Sequence, residues 1–238
     1  MAVPNEQSNS APQARPPKAG PTSPPAAGYP LFFNPTEYMR FREGGYGLGV
    51  VKRWFERRVI RRCLKEVVDA HTLCDVPCGP GRLFPVWRKR FSSVVAVDLS
   101  DQMVEAAGRH LRALGMDGRA LKADVFHLLD SIGGPVDLVA SVRFCYYFDR
   151  PGRVRLLSAL SAASRRYVLV QYKTRQTYKG RRNVRRAARR TNHHLGLKHW
   201  CTTDEILSEL AEAHLRCLRI APLGWASDFA FVLAEREA

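Results

Sequence analysis

The run Leu73-Cys74-Asp75-Val76-Pro77-Cys78-Gly79-Pro80-Gly81-Arg82 carries an acid out of a short apolar stretch into a glycine- and proline-rich turn. Small residues at such a turn let the backbone approach a ligand closely. A second apolar stretch, Val94-Val95-Ala96-Val97, ends in Asp98. A strand, a glycine turn, a helix and a second strand ending in an acid make a nucleotide-binding half-site, whose second acid holds the two ribose hydroxyls. Asp98 follows Asp75 at close to the interval of roughly 20 residues expected of such a unit. These residues predict a nucleoside-containing cofactor.

The turn is not the Gly-x-Gly-x-x-Gly of dinucleotide sites, and it lacks the Lys-Ser/Thr pair of a phosphate loop. Its acid-x-Pro-x-Gly-x-Gly pattern resembles motif I of the class I S-adenosylmethionine (SAM)-dependent methyltransferases. The form Asp-Val-Pro-Cys-Gly-x-Gly-Arg is similar to the branch that includes the ubiquinone/menaquinone-biosynthesis type. The resemblance runs in element order from about Tyr38 to the C-terminus. It implies that Asp75 and the backbone of Val76, Pro77, Gly79 and Gly81 surround the methionine part of SAM. It also implies that Asp98 accepts from the ribose hydroxyls, that Leu99 and Met103 pack on adenine, and that Asp124 and Val125 meet the adenine edge. Ser141 and Arg143 would lie near the sulfonium and the acceptor. Candidates for catalysis are Arg143, Tyr146 and His194, the last through a histidine's capacity to take a proton near neutral pH. The Asn/Asp-Pro-Pro-Tyr box of amino-group methyltransferases is absent from Ser141-Val142-Arg143-Phe144-Cys145-Tyr146-Tyr147. That argues against adenine or glutamine N-methylation.

The positioning elements follow from hydrophobic pattern. After Asp98 a polar start at Ser100-Asp101 opens an apolar-periodic helix. Leu121–Val125, Pro135–Ser141 and Tyr167–Gln171 read as further strands, the second nearly all apolar and so covered on both faces. Leu215–Glu235 reads as strand, loop, strand, with Trp225 and Asp228 in the connection. The predicted fold is α/β, a Rossmann-like seven-stranded mostly parallel sheet with an antiparallel last strand and helices on both faces. A helix is expected from about Gly49 to Ala70, with Val51, Phe55, Val59, Cys63 and Val67 recurring every fourth residue. In methyltransferases of the type resembled, the segment 30–70 lids the cofactor, and Tyr38 and Arg40 are either pocket residues or simple packing. The resemblance implies that residues 71–238 form the methyltransferase domain.

Residues 1–29, dense in Pro, Ala, Ser and Gln, read as a disordered tail. The 238-residue chain has no apolar run long enough to span a bilayer and no signal-peptide core, which predicts a cytoplasmic protein. Its six cysteines mostly fall in apolar segments and lack zinc-knuckle spacing, so no metal site is expected.

The formal net charge is +16, and a basic helical insertion at about 173–200 supplies much of it. Arg181, Arg182, Arg185, Arg186, Arg189 and Arg190 recur in pairs every four residues, leaving Val184, Ala187, Ala188 and Thr191 opposite. Arginine forks match phosphate and carboxylate oxygens, so the partner is an anion: a phosphorylated glycolipid, RNA or an acidic membrane surface. The alternative is a solvated insertion whose charge serves solubility. His193 and His194 beside it either reach the active site or extend the anion-binding face. The reading taken forward is a SAM-dependent methyltransferase acting on an anionic small-molecule or glycolipid acceptor by O-methylation. An RNA methyltransferase and a non-catalytic RNA- or protein-binding module of the same fold stand as alternatives.

Overall fold

The structure, a computed structural model, describes Pro35, Thr36, Tyr38, residues 48–188 and residues 198–237. The 1–29 tail, His194, Arg189 and Arg190 lie outside the described residues.

Among the described residues seven strands are interleaved with helices as far as the sixth, which joins the seventh with no helix between. They are β1 (Thr72–Asp75), β2 (Ser93–Asp98), β3 (Asp117–Lys122), β4 (Val136–Ser141), β5 (Ser164–Lys173), β6 (Leu215–Pro222) and β7 (Phe229–Arg236). The helices are α1 (Leu48–Cys63), α2 (Phe84–Trp87), α3 (Asp101–Ala113), α4 (Leu128–Ile132), α5 (Arg150–Ala162), α6 (Tyr178–Ala188) and α7 (Thr203–Glu212). The sheet order is β3-β2-β1-β4-β5-β7-β6. Strands β1 to β5 pair in parallel, and β7 is antiparallel to both β5 and β6. This is the predicted Rossmann-like architecture.

The central strands are apolar because both faces are covered. Leu73, Leu138, Leu169 and Phe231 face one layer, where Val59 and Ile60 of α1 and Leu111 of α3 pack. Cys74, Val139, Val170 and Val232 face the other, against Leu128 of α4, Leu156 and Leu160 of α5, and Ile206 of α7. Five of the cysteines are buried within these layers. A capping box opens α7, with Thr202 and Glu205 bonding reciprocally.

Two boundaries differ from the periodicity. The first helix ends at Cys63, gives a short 3-10 turn at Leu64–Glu66, and is extended at Val67. There the Arg90 guanidinium donates to the carbonyls of Val67 (2.5 Å) and Ala70 (3.0 Å) and turns the chain into β1. The third strand is Asp117–Lys122, beginning four residues before the expected Leu121–Val125 and ending before Asp124. Asp124 instead caps the turn Val125–His127, accepting from the Phe126 N–H at 3.0 Å. This local bond gives the acid a structural occupation that strand periodicity does not show.

Parallel strands deliver their C-terminal ends to one edge, and β7, running the other way, starts there. Lys173 at the end of β5 is opposite Phe229 at the start of β7. Asp75, Asp98, Ser141, Lys173 and Phe229 thus share an edge of the sheet. Sheet order turns outward on either side of the β1/β4 boundary, the usual place for a ligand crevice.

Candidate active site

The turn after β1 is fixed on both sides. Val76 N–H donates to the Ala140 carbonyl of β4 (2.9 Å), and Cys78 N–H donates to the Val97 carbonyl of β2 (2.8 Å). Gly79 and Gly81 have φ of 53° and 84°, a region that disfavours side chains. A Cβ on Gly81 would stand 2.2 Å from the Phe84 ring, while the corresponding direction at Gly79 meets only the Tyr38 ring at 3.7 Å. The Val76–Pro77 peptide is cis.

Asp98 closes the turn. Its carboxylate accepts from the Gly79 N–H (2.9 Å) and the Ser100 N–H (3.0 Å), one on each oxygen. Burial pushes its carboxyl above the ordinary range, opposed by these backbone donors. Leu99 beside it is exposed, whereas Met103 in α3 is buried, as is Val125. Asp75 is buried and accepts from the Trp87 indole N–H at 2.9 Å. Burial raises it to about 7, against the lowering effects of Trp87 and Arg82. The Ser141 hydroxyl, fully buried at the end of β4, has no hydrogen-bond partner among the described residues.

A buried ionic cluster adjoins this turn, and sequence reasoning did not find its centre. Glu56 of α1 accepts from Arg82 (2.6 Å), from Arg143 (3.2 Å) and from the Gln171 amide (3.4 Å). Burial would raise the Glu56 carboxyl, but Arg82 and Arg143 outweigh it and hold it down at about 2. Glu56 is the lone acid of a strongly basic helix, three and four residues before buried Val59 and Ile60. A lone acid on an apolar helical face was the available signal. Arg143, with φ of 63°, is therefore engaged by α1.

A second cluster sits at the ends of β5 and β7. Lys173 is buried and paired with Asp228, which also accepts from Asn183 (3.0 Å) and from the Trp200 indole (3.0 Å). The Lys173 ammonium lies 4.3 Å from the Phe229 ring centre, 5.0 Å from Trp200 and 5.6 Å from Tyr146. Burial lowers the Lys173 pKa against the pull of Asp228. The Arg143 guanidinium is 6.0 Å from the same Phe229 ring, so the two clusters meet there. Tyr146 is buried in a 3-10 turn, Cys145–Tyr147, and its carbonyl accepts from the His199 N–H at 2.9 Å.

The basic helix α6 is joined to this cluster through Asn183. It also packs tightly at Gly180, where a Cβ would stand 2.0 Å from the Thr174 carbonyl oxygen. Arg181, Arg182, Arg185 and Arg186 are exposed, while Val184 and Ala187 are half-buried, in the division predicted from spacing.

The strand order, the antiparallel β7 and the glycine turn held by Asp98 define a Rossmann-like methyltransferase fold. Residues 73–166 match the protein-family model described as "Methyltransferase domain", so the chain carries a methyltransferase domain over those residues. The magnesium protoporphyrin IX methyltransferase of Synechocystis PCC 6803 with bound SAH is similar at 18% identity. It has a TM-score of 0.67 over 87% of this chain and 97% of that one. A SAM-dependent methyltransferase from Clostridium acetobutylicum ATCC 824 is similar at 14% identity and a TM-score of 0.63, covering 85% and 97%. The mitomycin 7-O-methyltransferase MmcR, at 18% identity and a TM-score of 0.59, is matched over 79% of this chain and 54% of that one. At these identities the likeness is one of fold. No curated protein matches the sequence.

Proposed function

We propose that the protein methylates an anionic acceptor, a small molecule or the head group of a glycolipid, at an oxygen. The observation that carries this reading is the Asn183–Asp228–Lys173 chain of contacts. It ties an exposed arginine helix to the sheet edge where Asp98 and the glycine turn stand.

The residues present fit SAM. The Gly79 backbone has room that a side chain would take, the Asp98 oxygens keep lone pairs beyond their single backbone bonds, and Ser141 offers a buried unpaired hydroxyl. SAM supplies an electrophilic methyl on a sulfonium, so the protein's work is alignment and exclusion of water. In this reading Asp98 holds the ribose and the backbone of Val76, Pro77, Gly79 and Gly81 borders the methionine part beside Asp75. Leu99, Met103, Asp124 and Val125 border adenine. Helix α1, in the segment 30–70 read as the lid, is seated by Glu56 and fixes Arg143. Tyr146 and Arg143 line the acceptor side, and the arginines of α6 hold the acceptor's anionic group. Among the described residues no helix is long and apolar enough to cross a membrane.

Calorimetric titration with SAM tests the cofactor placement. Asp98→Ala is expected to weaken binding by about 10- to 100-fold, the loss of hydrogen bonds to a charged group. Unchanged affinity would sink the placement. Replacing Arg181, Arg182, Arg185 and Arg186 with alanine should leave SAM binding intact and raise KM for an anionic acceptor. The RNA reading instead requires nucleic-acid affinity that falls steeply with salt and disappears in the same variant.

A further inference from the structure

The outward face of α1 has no role in the site just described. Around the helix, Val59, Ile60, Cys63 and Glu56 point inward and are buried. The opposite face begins with Val50, Val51, Trp54 and Phe55, all exposed, Trp54 by 54%. It continues with Arg58, Arg61 and Arg62 and, in the 3-10 turn that follows the helix, Lys65, all exposed, and no acid lies among them. By helical spacing the seven of these residues that lie in α1 fall on one side, apolar in the first half and cationic in the second. The Arg58 guanidinium lies 5.3 Å from the Trp54 ring centre. Trp54 and the four cations line a shallow groove of about 310 Å³.

We infer that this face docks on an anionic lipid bilayer. The cationic half, with its groove, takes lipid phosphates, and Val50, Val51, Trp54 and Phe55 enter the boundary between head groups and acyl chains. Membrane-surface helices combine a basic polar part with Trp, Phe and aliphatic residues in this manner. Charge selects the occupant. Residues 1–47 hold only Glu6, Glu37 and Glu43 as acids, offset by Arg15, Lys18, Arg40 and Arg42, and so cannot neutralise the patch. A second copy would bring another acid-free basic face against it. RNA would satisfy the cations and stack on Trp54 but would leave the valines in water. The inference goes beyond the acceptor assignment, because a bilayer can hold the enzyme whatever acceptor it methylates.

The test is flotation of the full chain with phosphatidylcholine vesicles and with vesicles containing phosphatidylglycerol. Binding is expected only to the second, and charge reversal at Arg58, Arg61, Arg62 and Lys65 should weaken it by more than about a hundredfold. Trp87 and Trp200 are buried, so Trp54 and Trp225 are the exposed tryptophans. In a Trp225→Phe background, lipid brominated on the acyl chains should quench the fluorescence of Trp54, and Trp54→Phe should remove that response. SAM titration of each variant shows whether the fold is intact, separately from any methyl transfer. Binding that survives charge reversal, absence of binding to the anionic vesicles, or binding without quenching would each overturn the inference. So would an RNA that displaces the protein from vesicles and protects the same residues.

Discussion

Replacing Glu56 with glutamine keeps the shape of the side chain and removes one charge from between two buried arginines. The folded carboxyl titrates at about 2 against an ordinary 4.5. At about 1.4 kcal/mol per pH unit, that difference makes the ionised group worth roughly 3 kcal/mol of stability near neutral pH. This agrees with the roughly 3–5 kcal/mol lost when one partner of a buried ion pair is removed. The sign follows from the depressed value. The stabilisation is complete above the unfolded pKa of 4.5 and is lost as pH falls through about 2. Urea unfolding of the wild type and Glu56→Gln should therefore differ by roughly 3 kcal/mol at about pH 7, narrowing to about 1.4 kcal/mol at about pH 3. A gap below about 1 kcal/mol near neutrality, or one that stays constant with pH, would refute the account of Glu56 as the charge that seats α1.

Asp75 runs the other way. Its folded pKa of about 7 lies above the ordinary 3.8, so its contribution is present at low pH and is lost as pH rises through about 7. Asp75→Asn should match the wild type near pH 4 and be more stable by about 2–4 kcal/mol near pH 8. Equal unfolding midpoints at both pH values would rule this out. At the β5/β7 end, Lys173→Met leaves Asp228 with only neutral donors and should cost about 3 kcal/mol, with much of the loss recovered in Lys173→Met/Asp228→Leu. Chemical denaturation of the two variants decides it, since a double variant no better than the single would mean that the charges are not coupled.

The sheet could be read from the chain because its signals are local. Val94–Val97 and Leu138–Ala140 are apolar for the reason that helices cover both faces. The glycine turn announces itself through residues that tolerate positive φ. Asp98 was legible for the same reason, standing at the end of a strand a fixed interval beyond the turn. Asp124, expected within the third strand, lies just past it and caps the turn that follows. The ionic clusters were not legible. Glu56 reaches Arg143 across 87 residues and Gln171 across 115, and Lys173 reaches Asp228 across 55. Pairings of that length depend on strand order and on which face of α1 turns inward, and neither is written at the residues themselves. Lys173 looked like the first of a solvated basic run. Its burial comes from Trp200 and Phe229, which only the folded chain brings to it.

Gly180 gives the basic helix a property that composition alone does not. The helix touches the Thr174 backbone at the one position with no side chain, and Asn183, less than a turn further on, is bonded to Asp228. Two attachments so close together stop the helix from rolling about its own axis. Its arginines are then held as a stencil instead of a brush, with Arg181 and Arg185 on neighbouring rungs about 6 Å apart along the axis. Such a stencil selects by the spacing of negative groups as well as by their number. A larger residue at position 180 would unseat it and lose that spacing, although every arginine would still be in the sequence.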